Sequence, residues 1–276
     1  MQYSDYQEPA CPFDNSLYQK EPNIPESKGR VDVKAVLAAV DKLNSELKYD
    51  AVRIYLENAL VDARKLQDKA GELGLLSELI GVYRKQREKE KGLDAVRSAF
   101  SLILELGLEG TATAGTIWLN GATALREFGE YEEALSYFNM SCRAYAETIA
   151  PYDYRFAGLF NNMGTCFMAL DRYDEAMAYY RKALTIVKGN GLTPIEEAVT
   201  YMNMAEAASR MEPENTNETE KYVDACLGIF LDPSTPKDDY YSYFAKNCAS
   251  GLKDLGFFRD AQKLLSIAEQ IDESIS

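Results

Sequence analysis

Four asparagines, Asn120, Asn162, Asn203 and Asn247, carry the most suggestive chemistry in the chain. A side-chain amide presents a donor and an acceptor together, matching the C=O and N–H of a peptide group. A row of such amides along a groove can hold an extended backbone without reading its sequence. Each bond contributes about 0.5–1.5 kcal/mol net, so four would align a segment rather than bind it tightly alone. Asparagine is also a poor helix former, because its side chain competes for nearby backbone groups. Yet Asn161 and Asn162 stand side by side in the apolar stretch AGLFNNMGTCFMALDRYDEAMAYYRKAL, residues 157–184. The competing use for these amides is to hydrogen-bond neighbouring helices and stiffen a groove.

Composition removes most other chemistries. The chain has 276 residues and no histidine, which excludes Ser-His and Cys-His nucleophiles, histidine bases and His-containing metal sites. Its five cysteines, Cys11, Cys142, Cys166, Cys226 and Cys248, form no CxxC pair, and four of them fall in helical patterns as small hydrophobes. Acidic pairs such as Glu132 and Glu133 sit where helices begin and favour the N-terminal dipole. No glycine-rich phosphate loop follows a strand; Gly189 to Leu192 reads as a helix stop, leading to an N-cap at Thr193 and a first helical residue at Pro194. The reading is a non-enzyme with no cofactor and no metal. A net charge of −14 opposes nucleic acid and anionic membrane surfaces. No run is long enough to span a membrane, and MQYSDYQEPACPFDNS resembles no secretory signal, so a cytoplasmic location is expected.

The elements that must position the asparagines are helices. One signal recurs: an aromatic or small residue, then two residues of which the second is acidic, then alanine. It occurs at Gly92–Ala95, Tyr131–Ala134, Tyr173–Ala176, Tyr222–Ala225 and Phe258–Ala261, with a weaker copy around Tyr49–Ala51. Successive alanines lie 44, 39, 42, 49 and 36 residues apart. Each opens an amphipathic stretch, and another helical stretch precedes it. The chain is a series of helix pairs, none able to bury its own apolar face, so the pairs must stack.

These residues resemble the tetratricopeptide repeats. Ala157, Phe160, Met163, Gly164, Phe167, Tyr173, Ala176, Tyr180, Ala183 and Leu184 follow that family's order of small and large positions. Trp118, Gly121, Ala122, Leu125, Tyr131, Ala134 and Phe138 repeat it, as do Ala245, Cys248, Ala249, Leu252, Phe258, Ala261, Leu265 and Ala268. In the unit from Leu75 to Leu104, Tyr83 stands at the position of the close-contact small residue. The spacing near 42 resembles the long repeats of kinesin light chains, in architecture only. The resemblance implies an all-α, right-handed superhelix of about five to six helix pairs over residues 31–276, about twelve helices in all. MEPENTNET, from Met211, reads as an exposed loop of about eight extra residues, and LDPSTPKDDYY, after Phe230, as a second break.

In this family the first helix of each pair lines the concave side. Counting from Ala134, Ala176 and Ala261 gives Asn120, Asn162 and Asn247 as the sixth residue of that helix. In the pair with the inserted loop, the likeness of VTYMNMAEA to AGLFNNMGT assigns Asn203 to the same position. Similar asparagine ladders occur in members of the family that bind extended peptides, which implies that role here. Asn161 joins the candidate groove. The same register turns Arg84, Arg87, Arg126, Arg210, Lys246 and Lys253 inward, beside Glu88, Glu127, Glu206 and Asp254. That set suits a peptide or protein partner of acidic character. It does not reproduce the lysine and asparagine set of the chaperone-tail binders.

Residues 1–30 form a separate segment with four prolines, three tyrosines and one phenylalanine. It reads as extended chain that lies on the first pairs, mimics a peptide in the groove, or stays mobile. The functional expectation is an interaction scaffold that binds an extended segment. The alternatives are a peptide-sensing regulator and a helical subunit of an enzyme complex.

Overall fold

The computed structural model describes residues 25–46, 48–190 and 194–275. Most of the N-terminal segment, and the cap expected at Thr193, lie outside the described residues. Twelve helices and no strand occur among those that are described. The chain divides into two compact units, the first ending at Pro151 and the second running from Tyr152 to Ser276.

The first unit holds three helix pairs: α1 (Val33–Ser45) with α2 (Tyr49–Leu66), α3 (Lys69–Lys85) with α4 (Lys89–Glu105), and α5 (Ala112–Glu127) with α6 (Tyr131–Thr148). The second unit also holds three: α7 (Arg155–Ala169) with α8 (Tyr173–Asn190), α9 (Pro194–Met211) with α10 (Asn217–Phe230), and α11 (Asp239–Asp254) with α12 (Phe258–Ile275). Within a unit the first helices of successive pairs are neighbours: α3 with α5, α7 with α9, and α9 with α11. Each unit therefore presents one face built from first helices.

Local sequence fixes where these helices start. Asp32, Thr111 and Asp238 cap α1, α5 and α11 by accepting from the N–H of Ala35, Ala114 and Tyr241 at 2.9–3.1 Å. Asp68 does the same for α3 at Gly71 N, and its second oxygen accepts from Val31 N at 2.9 Å. This buried carboxylate thereby ties the segment that enters α1 to the second pair. In four of the six pairs the turn uses a left-handed residue at one repeat position: Arg87, Gly129, Asp171 and Gly256. Glycine adopts that geometry without a steric cost, and the arginine and aspartate adopt it with some strain.

Small residues set the distance between paired helices. A Cβ on Gly164 would stand 2.3 Å from Tyr180 Cε1, and one on Gly115 would stand 2.7 Å from the Tyr145 ring. Ala134, Ala176 and Ala261, the alanines of the repeat signal, are fully buried. One assignment needs correction. The pattern of buried residues sets Ile80 of α3 against Gly164, while Tyr83 matches Leu125 and Phe167. In the α3–α4 pair a large aliphatic residue thus occupies the close-contact position. The 212–216 loop is exposed as expected but shorter, because the end of MEPENTNET forms the first turn of α10.

Candidate functional site

Burial decides the register of the asparagines. Gly115, Ala157, Ala198 and Ser242 are buried at one position of α5, α7, α9 and α11; Ala122, Gly164, Ala205 and Ala249 are buried at a second; Leu125, Phe167, Ala208 and Leu252 at a third. All three sets share spacings of 42, 41 and 44 residues. Asn120, Asn162, Asn203 and Asn247 lie two residues before the second set and share the same spacings. Taken letter for letter, VTYMNMAEA against AGLFNNMGT pairs Asn203 with Asn161; the burial pattern pairs it with Asn162.

The four are not equally engaged. Asn120, Asn162 and Asn203 are half-buried and Asn247 is exposed. Asn203 donates to Asn161 Oδ1 at a long 3.4 Å. Asn161 itself donates to Thr200 Oγ1 at 3.0 Å, and Thr200 is fully buried. Asn161 therefore fastens α7 to α9, which is the stiffening role rather than a free groove amide. The side chains of Asn120 and Asn247 make no hydrogen bond among the described residues.

The basic residues separate more sharply. Arg84 is buried, its guanidinium 2.9 Å from Glu127 Oε1, so it braces α3 against α5 rather than presenting charge. Arg87 is the left-handed turn residue after α3 and lies outside the helix. Lys246 pairs with Asp272 of α12. Glu88 pairs with Arg53 and Lys91, toward the second helices α2 and α4. Arg210 and Lys253 are exposed. Arg126 differs from all of these: it shares the Glu127 oxygen at 3.2 Å, its side chain is 15% exposed, and its shielded Nε–H has no acceptor. Two arginines on one carboxylate oxygen leave the α3–α5 face locally positive.

On α9, one turn after Asn203, stands Glu206. Burial, then the Asp254 carboxylate of α11, hold its carboxyl above the usual range against a smaller downward pull from Arg210. An acid raised in the folded state stabilises the fold fully below its unfolded value near 4.5, and that contribution is lost as pH rises through the folded value. Glu206→Gln is accordingly expected to raise the melting temperature at pH 7. The gain should shrink as pH falls into the carboxylate range, as measured by thermal melts across pH.

Cys248 is pushed up by its hydrogen bond with Cys226 and by burial, so it stays a thiol. No group of three His, Cys, Asp or Glu among the described residues could hold a metal ion, and no helix there is long and apolar enough to cross a membrane. Arg84 buried with a partner 43 residues away had no signal in the sequence, whereas the cross-helix bond of Asn161 is the competing use that asparagine chemistry offered there. Glu206 had one: from α3 to α11 it is the one charged residue at its repeat position, where Gly81, Thr123, Thr165 and Ser250 stand in the other four pairs.

A profile of the tetratricopeptide repeat matches residues 157–190. Over 151 residues, 52% of the chain, the sequence is 30% identical to Protein KINESIN LIGHT CHAIN-RELATED 2 of Arabidopsis thaliana, and it spans 21% of that protein's length. A Podosopora anserina putative kinesin light chain with nearly identical TPR-like repeats superposes with a TM-score of 0.60 at 13% identity, over 71% of this chain and 94% of that one. A Rap protein complexed with Competence and Sporulation Factor superposes with a TM-score of 0.55 at 13% identity, over 85% of this chain and 74% of that one. At such identities the structural likeness is one of fold. Residues 157–190 are a tetratricopeptide repeat, and the chain has the fold of the tetratricopeptide-like helical-repeat proteins.

Proposed function

We propose that the protein is a non-enzymatic interaction scaffold whose first-helix faces hold an extended segment of a partner protein or peptide. The observation that carries this reading is the recurrence of Asn120, Asn162, Asn203 and Asn247 at one register position. Helix propensity disfavours asparagine there, so its recurrence needs a reason other than helix formation. In the second unit, Asn162, Asn203 and Asn247 follow one another on three neighbouring helices, as an extended backbone would require.

An acidic preference belongs to the first unit. The partly exposed Arg126 guanidinium, which shares the single Glu127 carboxylate with Arg84, suits a carboxylate or carbonyl oxygen of the bound segment. Arg210 does not share this role, because Glu206 and Asp254 oppose its charge. The net charge of −14 disfavours phosphate-rich partners. The free thiols of Cys142, Cys166, Cys226 and Cys248 are consistent with the cytoplasm.

The test is selection of a random peptide display library on the immobilised chain. Wild type should enrich a family of peptides that Asn162→Ala/Asn203→Ala, with unchanged circular dichroism, fails to enrich. Equal enrichment by both proteins would move the binding surface elsewhere.

A further inference from the structure

Glu206 breaks the pattern of its own repeats. The equivalent residues are small and neutral, and the hydroxyls of Thr123 and Thr165 turn back to bond Leu119 O and Asn161 O on their own helices. A carboxylate cannot satisfy itself that way. It is half-buried between α9 and α11, and it forms no ion pair or hydrogen bond among the described residues. The neighbouring helix makes room for it: a Cβ on Gly251 of α11 would stand 2.6 Å from Glu206 Oε1 and 3.1 Å from Met202 Cε. Any side chain there would have to displace the carboxylate and the Met202 methyl from this position.

The groups facing it leave the spot acidic. Asp254 and Cys248 face it from α11, and Arg210 from one turn along α9. Two carboxylates thus stand against one exposed arginine, which is beyond ion-pair distance of Glu206. A partly desolvated carboxylate without a partner is unfavourable. A cation delivered by a bound segment would relieve that cost and form a charge-assisted hydrogen bond.

We propose that Glu206, supported by Asp254, is the recognition point for a lysine or arginine side chain of the segment bound on the second unit. Asn203 and Asn247 flank it on α9 and α11, so the backbone amides of that segment and its cationic side chain are read side by side. This rests on the reading that the first-helix face holds an extended segment, and it adds a sequence preference that amides alone do not supply.

The experiment repeats the peptide selection on wild type, Glu206→Gln and Asn162→Ala/Asn203→Ala. Glutamine keeps the shape and the contact with Gly251 while removing the charge. Wild type should enrich lysine or arginine at one fixed position by about ten-fold, the gain expected of a hydrogen bond to a charged group. Glu206→Gln should still enrich peptides but lose that preference. Enrichment by wild type without a fixed cation, or a cation preference that survives Glu206→Gln, would overturn the proposal and leave the groove reading standing. Equal enrichment by wild type and the asparagine double variant, or no enrichment at all, would overturn the groove reading and this proposal with it.

Discussion

Gly164→Leu is expected to lower stability by about 1–3 kcal/mol or more, because overpacking a close helix contact forces side chains off their rotamers and shifts backbone. The contact is with the ring of Tyr180, whose Cε1 would lie 2.3 Å from the first added carbon. Tyr180 is 2% exposed, so its ring cannot swing into solvent without opening the α7–α8 pair. At roughly 2–4 °C per kcal/mol, the melting temperature should fall by about 2–12 °C. Gly228 of α10 is the control, since nothing lies within 4 Å of its added Cβ. Gly228→Ala should raise stability by up to about 1 kcal/mol through helix propensity. Equal melting temperatures for wild type and Gly164→Leu would refute the packing assigned to the tetratricopeptide repeat at 157–190.

Phe230→Ala carries the largest expected loss, about 3–5 kcal/mol. Phe230 is fully buried at the end of α10, and its ring meets Tyr241 edge-on at a centroid distance of 5.2 Å. The hydroxyl of Tyr241 donates to the Phe230 carbonyl at 2.7 Å, which clamps the loop between α10 and α11. Truncation empties the space beneath that clamp while leaving the Tyr241 bond, so the cavity and the lost transfer energy add. Urea denaturation should show the loss as a lower midpoint. A change below about 1 kcal/mol would mean that the last pair is held by something other than this cluster.

Much of the fold was legible because its code is local and repeated. Ala134, Ala176 and Ala261 of the repeat signal, and the glycine or alanine one helix earlier in each of those pairs, are buried and must be small for a geometric reason. The place of Arg87 was not legible, because nothing in its type announces a left-handed turn residue, and its charge suggested a groove instead. Arg84 was hidden in the same way: its burial depends on Glu127, which only the stacking of α3 on α5 brings within reach. Asn161 and Asn162, adjacent and chemically identical, differ only in the face of α7 they occupy. One fastens a neighbouring helix and the other keeps the repeat position of Asn120, Asn203 and Asn247. The register placed Glu206 in the groove, but its partial burial against α11 depends on how α9 and α11 stack.

The central claim is that the asparagine row holds a bound backbone. The most direct measurement is a calorimetric titration of one selected peptide into wild type and Asn162→Ala/Asn203→Ala, with thermal melts of both. Losing two amide bonds of about 0.5–1.5 kcal/mol each should weaken binding about 5- to 150-fold. The melting temperature should hold or rise slightly, because the Asn203 bond is long and alanine suits a helix better. Equal affinities, or weaker binding accompanied by a large fall in melting temperature, would contradict the account and leave the asparagines as struts between helices.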